Sequence, residues 1–436
     1  MPVATDTTEA VPRPDAANGP GLGRRMRRGA LWLSVLTLLA SAVNYGSNLI
    51  FSRILTPASY GDLTALLALS VVIAVPFTAA QTRVAEKVAS FAAQDNWERV
   101  QYTVRHAMAH LTVLAGIGTA LYLATVPLLE DLLDLQAPGP ALALAALIFV
   151  GFLFPVLLGA LQGLERWTAF GVVALAIAVA RILFGVPWAE AGGGSGGAIA
   201  GQAVGTGVCL LGLLWLLRHH VRRTGNAAGW AGLRHRPDVR AAAAGAAFTF
   251  FAVIANCDVV LAKAFLDPQE AGEYAALATI GKVVTFLPAA VAVTVVPHAA
   301  RAGASPADRS RVLRIAALLV AMAAAIAIIP AALAPTFVVE HMFGDEYLAA
   351  TSGVLPIVCA GGGLSLLYLL VTFTVTIEDH RWTWLLVLGV VVQVAGISLF
   401  HDSVTQVAGV QAAAVALVLL VNEARYHALL RPTSRG

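Results

Sequence analysis

The sequence predicts an all-α polytopic membrane protein, with twelve transmembrane helices in two six-helix lobes. Three observations predict it. First, 58% of the 436 residues are hydrophobic and only 12% are charged, half the charge of an ordinary soluble domain, and the mean hydropathy is +0.79. Second, the apolar residues gather in runs about 20 long, the length that crosses a ~30 Å hydrocarbon core at ~1.5 Å per residue. Third, the breaks between runs alternate in charge. This composition excludes a soluble enzyme, a disulfide scaffold and a disordered chain. It also excludes one anchor bearing a soluble domain, because no polar stretch is long enough to fold alone. The net charge of +3 does not point to nucleic acid; the placement of the bases carries the information.

In chain order, residues 1–28 form a polar, Pro/Gly-rich cytoplasmic tail, expected to be disordered and ending in Arg24, Arg25, Arg27 and Arg28. No A-x-A site follows a short apolar stretch, so it does not read as a cleaved leader. The first lobe, 29–217, holds spans at about 30–51, 62–83, 104–128, 140–161, 168–188 and 198–217. A basic cytoplasmic linker, 218–240, separates the lobes. The second lobe, 241–424, holds spans at about 241–264, 272–297, 312–338, 348–376, 383–400 and 404–423. A cytoplasmic tail, 425–436, ends the chain.

Charge placement justifies this division. With the N-terminus inside, the cytoplasmic segments collect 24 of the 28 Lys and Arg, as the positive-inside rule requires. The outer connections carry acids instead, among them Glu130, Asp131, Asp134, Glu190, Asp267, Glu270, Asp345 and Asp402. A single misplaced span would scramble the alternation. The expected orientation has both termini cytoplasmic. The tryptophans fall near span ends, as an interfacial belt places them.

Within the spans, Pro76, Pro155, Pro288, Pro330 and Pro356 interrupt the helical pattern, as static kinks or as bending points. Pro76 and Pro288, in corresponding spans, are the candidate hinges. Gly193, Gly197, Gly201 and Gly205 recur every four residues, making a smooth ridge for close helix packing. Cys209, Cys257 and Cys359 lie in apolar runs at no metal-binding spacing and read as small hydrophobes. His106 and His110 stand at i, i+4 without a third ligand. No nucleophile elbow, HExxH or CxxC occurs. No catalytic residue, cofactor or metal is therefore expected, and the chain does not read as an enzyme.

The halves repeat. Asn48, Arg53, Pro57, Gly61, Asp62 and Pro76 correspond to Asn256, Lys263, Pro268, Gly272, Glu273 and Pro288, at offsets near 210 residues. Six spans is an even number, so both halves enter the membrane in the same sense, and the repeat is parallel. Such two-lobed proteins usually place a path between the halves.

Four bases remain inside or at the ends of spans: Arg53, Arg181, Lys263 and Lys282. Lys282 lies roughly 15 Å into its span, near the midplane, and Arg181 lies roughly 20 Å into its own. A charge at that depth is costly unless it meets water or a partner. Arg53 and Lys263 stand at outer ends, where snorkelling is as good an account. Asp258, beside Asn256, is the one acid expected well inside a span. These residues outline a cationic cavity for an anionic substrate, with Asp258 and Asn256 as counter-charge or coupling site. The bland alternative is an Asp258–Lys282 pair with two snorkelling bases.

The stretch Ser52-Arg53-Ile54-Leu55-Thr56-Pro57-Ala58-Ser59-Tyr60-Gly61-Asp62 resembles the first-hairpin signature of polysaccharide biosynthesis proteins. These are lipid-linked oligosaccharide flippases of the MOP exporter superfamily. Asn256 to Lys263, Ala271 to Ala276, Phe286-Leu287-Pro288 and Val296-Pro297 are similar to that family's second-half segment. The resemblance implies a two-lobed, MATE-like inner-membrane transporter. It would flip a polyprenyl-diphosphate-linked oligosaccharide to the outer leaflet by alternating access. Its partners would be that lipid-linked glycan, the membrane lipids, and glycosyltransferases and a polymerase of the pathway, with no nucleic acid. Its motif positions reach Arg53, Asp258 and Lys263; Arg181 and Lys282 rest on the charge argument. The alternatives are a multidrug exporter of the same superfamily, which would want an acidic cavity, and a membrane glycan polymerase or ligase, which would want a large outer loop.

Overall fold

The computed structural model describes residues 20–218, 239–286, 306–376 and 383–430. Pro288, Val296-Pro297, Arg381, most of the basic linker and the outermost parts of both tails lie outside the described residues. The described chain is all-helical. The first half contains α1 (Pro20–Ile54), α2 (Pro57–Ala74), α3 (Thr78–Ala92), α4 (Trp97–Leu132), α5 (Gly139–Gly151), α6 (Phe154–Gly163), α7 (Trp167–Trp188) and α8 (Gly194–Leu216). The second contains α9 (Val239–Ile254), α10 (Cys257–Phe265), α11 (Pro268–Phe286), α12 (Pro306–Leu333), α13 (Pro335–Phe343), α14 (Val354–Thr376), α15 (Thr383–Leu399) and α16 (Val404–Leu430).

Among the described residues, nine helical runs are long and apolar enough to cross a membrane. One of them, Trp167–Leu216, is two spans. It reverses at Ala189–Gly193, where Gly192 has φ 91° and Gly194 φ 52°, backbone that glycine adopts without a Cβ clash. The shorter α15 is a further apolar helix, and α11 ends at Phe286, the edge of the described residues. Twelve spans account for the pattern.

Local chemistry sets the starts. Pro57 opens α2 at the first helical position, and the Thr56 side chain caps it by accepting from Ser59 N at 3.3 Å, since proline's missing N–H costs nothing there. Asn96 caps α4 by accepting from Arg99 N at 3.2 Å. At least four predicted spans are broken, among them 312–338 at Ala334, between α12 and α13. A 3-10 turn at Val75–Phe77 contains Pro76 and separates α2 from α3. The 140–161 span breaks at residues 152–153, just before Pro155. The 241–264 span, expected continuous, breaks at Ala255–Asn256 with no proline present.

In the first half, α1 packs on α7, α7 on α8, α5 on α8 and α3 on α6; in the second, α11 packs on α14, α14 on α12 and α16, and α15 on α9 and α16. A methyl group at Gly197 or Gly201 would overlap the backbone carbonyl of Trp188 or Phe184, so this ridge lets α8 lie against α7. Leu38, Leu121, Leu211, Ile326 and Leu420 point outward, each at least 66% exposed. In water such a girdle would aggregate; here it is the lipid-facing surface. The halves meet mainly through α2 against α10 and α11, the repeated hairpins.

Candidate functional site

A cavity of about 420 Å³ lies between the halves. Its lining on α2 starts at Thr64 and continues to Val75 and Thr78; on α11 it runs from Ala275 to Thr285. It therefore begins near mid-bundle and extends away from the 55–57 and 266–268 turns, here called the hairpin end, toward the opposite, basic end. Asn44, Tyr45, Asn48 and Arg181 line it from α1 and α7; Phe248, Phe251, Asn256 and Tyr368 line it from the second half. The described lining holds two cations, Arg181 and Lys282, and no carboxylate.

Arg181 is fixed rather than free. Its Nη1 donates to Asn44 Oδ1 at 2.7 Å and its Nη2 to Asn48 Oδ1 at 2.8 Å. Phe51 lies under the guanidinium, 5.5 Å from carbon to ring centre, within cation–π range. Asn44 and Asn48 are four apart, so one face of α1 presents both amides to the planar fork. Two neutral acceptors hold the group but leave its charge uncompensated, and the buried Nε has no hydrogen-bond partner. Lys282 reaches the same cavity from the other half. Its backbone carbonyl accepts from the Tyr45 hydroxyl at 2.7 Å, joining α11 to α1. Among the described residues, its ammonium makes no hydrogen bond and no ion pair within 4 Å.

Asp258 stands one layer behind. It is absent from the main lining and shares with Lys282 and Gln411 a small cavity of about 10 Å³, room for about one water. Its Oδ2 accepts from the Tyr274 hydroxyl at 2.8 Å, and it lies in the first turn of α10, the positive end of the helix dipole. The break at Ala255–Asn256 creates that helix start at the cavity wall. Breaking a helix frees carbonyls, and Ile254 O accepts from Gln393 Nε2 at 3.1 Å and Gln411 Nε2 at 3.0 Å. Both glutamines are fully buried, and Gln393 also donates to the Gln411 side-chain oxygen. Sequence reasoning missed this pair. Two amides inside otherwise apolar spans were the available signal.

Arg53 and Lys263 are elsewhere, which corrects the expectation that four bases share one cavity. Lys263 Nζ lies 2.9 Å from Asp62 Oδ1, with both side chains 1% exposed. Asp62 was expected to open a span; it is instead a second buried acid, pairing a base from the opposite half. Arg53 Nη2 donates to the His341 carbonyl at 2.7 Å. Both bases belong to a seal at the hairpin end. Gly61 and Gly272, the repeat's equivalent glycines, face each other there, and a methyl at Gly272 would overlap the Pro57 carbonyl. The Tyr60 hydroxyl bonds Thr279 Oγ1 at 3.0 Å, and the Tyr347 hydroxyl donates to Ser52 O at 3.1 Å. Pro76 lies in its 3-10 turn on the cavity's edge, and its counterpart Pro288 lies outside the described residues. His106 stacks on Tyr102 and His110 meets His106 edge-on, and no described group of three or more His, Cys, Asp or Glu could hold a metal.

No family profile and no curated protein matches the chain. Solved structures do. An inward-facing multidrug resistance MATE family transporter of the MOP superfamily superposes with a TM-score of 0.66 at 13% identity, over 93% of this chain and all of that one. An outward-facing one gives 0.54 at 14%, over 93% and 97%. A MOP superfamily transporter from Pyrococcus furiosus, described by the reverse polarity of its binding pocket, gives 0.56 at 13%, over 93% and 96%. The chain has the fold of the MATE transporters of the MOP superfamily.

Proposed function

We propose that the protein is a membrane transporter that moves an anionic, lipid-linked glycan from the cytoplasmic to the outer leaflet by alternating access. The observation that carries this reading is the cavity's charge: Arg181 and Lys282, one from each half, with no carboxylate in the described lining. A diphosphate offers the oxygens both groups favour, arginine by paired hydrogen bonds and lysine as a point charge. Asn44, Asn48, Asn256, Tyr45 and Tyr368 surround them with amides and aromatic rings suited to sugar hydroxyls and ring faces.

The seal at the hairpin end, and the closer superposition on the inward-facing neighbour, support a state open toward the basic end. By the positive-inside rule, that end is cytoplasmic; the inner or plasma membrane is the location that the resemblance implies. Asp258, behind Lys282, is the candidate counter-charge through which an ion gradient would act. A multidrug exporter is the rival within the same fold. An organic cation would meet like charge in this cavity, and the reverse pocket polarity ascribed to the Pyrococcus furiosus neighbour supports a fold that serves more than one kind of cargo.

Leaflet translocation of a fluorescent polyprenyl-diphosphate glycan in liposomes tests the reading. Wild type is expected to flip it, and the double variant Arg181→Gln/Lys282→Gln to lose at least tenfold in rate while remaining folded. Translocation unchanged in the double variant, or transport of a cationic dye in place of the glycan, contradicts it.

A further inference from the structure

Lys282 lines two cavities at once. It reaches the central one beside Arg181, and behind that wall it shares the small one, about 10 Å³, with Asp258 and Gln411. The small cavity has room for about one water, and Lys282 is the one base in its described lining. Asp258 is 3% exposed. Its Oδ2 accepts from the Tyr274 hydroxyl, but its Oδ1 is buried without a hydrogen-bond partner. A buried carboxylate oxygen in that position is costly and draws any donor within reach. The two cations of the site differ in freedom. Arg181 is held by Asn44 and Asn48, whereas only the backbone of Lys282 is tied, through its carbonyl to Tyr45. Its ammonium, on a flexible four-carbon stem, can change partners.

We infer that Asp258 is a built-in competitor for Lys282: the ammonium turns to Asp258 when no cargo is bound and to the cargo's phosphate oxygens when the central cavity is loaded. The inference rests on the anionic-cargo reading and adds how the cargo is let go. Without cargo, Lys282 reaches Asp258 Oδ1 directly or across one water, so neither charge passes through the cycle uncompensated. A diphosphate seated on Arg181 draws the ammonium away with its more highly charged oxygens. Asp258 then keeps the Tyr274 hydroxyl and the N-terminal end of α10, which steady its charge while Lys282 is elsewhere. As the cargo shifts, Asp258 reclaims the ammonium, which lowers affinity and speeds release. Only one side chain has to move.

The test is binding of inorganic diphosphate to the purified full chain in mild detergent, read as affinity and dissociation rate. Wild type is expected to bind it, and Arg181→Gln/Lys282→Gln to lose at least tenfold in affinity. Asp258→Asn removes the competitor, so it should bind about tenfold tighter, the scale of one hydrogen bond between charged groups, and release more slowly. Most of that gain should vanish when the same substitution is made in Lys282→Gln. Tyr274→Phe leaves Asp258 with one donor fewer and a stronger claim on Lys282, so it should bind about threefold more weakly. It carries the test if the melting profile shows that Asp258→Asn does not fold. Binding as tight in Arg181→Gln/Lys282→Gln as in wild type overturns the anionic-cargo reading and this inference with it. Binding that needs both bases but is no tighter in folded Asp258→Asn, a gain undiminished without Lys282, or binding no weaker in Tyr274→Phe overturns this inference alone.

Discussion

Lys263 and Asp62 show how a partner changes the meaning of a buried charge. Each alone would be an unpaired ion in a dry interface; together, at 2.9 Å, they join the halves. Removing one partner of such a pair costs about 3–5 kcal/mol, whereas replacing both by apolar groups is often neutral or stabilising. Asp62→Ala or Lys263→Ala should therefore lower unfolding stability in mild detergent by that amount, and Asp62→Leu/Lys263→Met should recover most of it. Equal losses in the single and double variants would contradict the pairing. Arg181 behaves differently, because its two partners are neutral. Arg181→Lys keeps the charge but cannot span Asn44 and Asn48 with a planar fork. It should fall well below wild type in translocation, measured beside Arg181→Gln as the floor. The sequence exposed the charge of these residues but not their company. Asp62 and Lys263 are 201 positions apart, and hydropathy assigns both to span ends.

At the scale of elements, breaks matter more than lengths. The proline-marked breaks at Val75–Phe77 and before Pro155 were legible, because proline removes a donor and crowds the preceding turn. The break at Ala255–Asn256 was not, because no residue there forbids a helix. It is held from outside by Gln393 and Gln411 on the Ile254 carbonyl. Gln393 follows Arg181 by nearly the repeat offset, so the polar anchor of α7 on α1 has its counterpart in that of α15 on α9. Gln393→Leu/Gln411→Leu should leave the carbonyl unpaired and cost about 1–3 kcal/mol. It should also speed amide exchange across 252–258; protection there equal to wild type would show that the break needs no such support. The glycine ridge of α8 was legible as packing, since four-residue spacing puts Gly197, Gly201 and Gly205 on one face. The glycine contact between α2 and α11 was half legible: the repeat flagged Gly61 and Gly272, but only the folded halves bring them face to face.

For the whole molecule, two six-helix lobes were legible from apolar run length, charge alternation and an even-numbered repeat. The cavity was legible only in outline, since Arg181 and Lys282 stand 101 positions apart and which charges face inward is decided by helix rotation. On the proposed reading, the contacts at the hairpin end are the closed gate, so bulk at their centre should hold it open. Gly272→Leu should lengthen spin-label distances across the hairpin end and shorten those at the basic end; distances unchanged from wild type would remove the gate from that contact. The central claim is that one cation from each half holds an anionic cargo in transit. It is tested most directly by leaflet translocation of a polyprenyl-diphosphate glycan in proteoliposomes. Wild type is expected to flip it, and Arg181→Gln/Lys282→Gln, folded and correctly inserted, to lose at least tenfold in rate; undiminished flipping by that double variant would contradict the account.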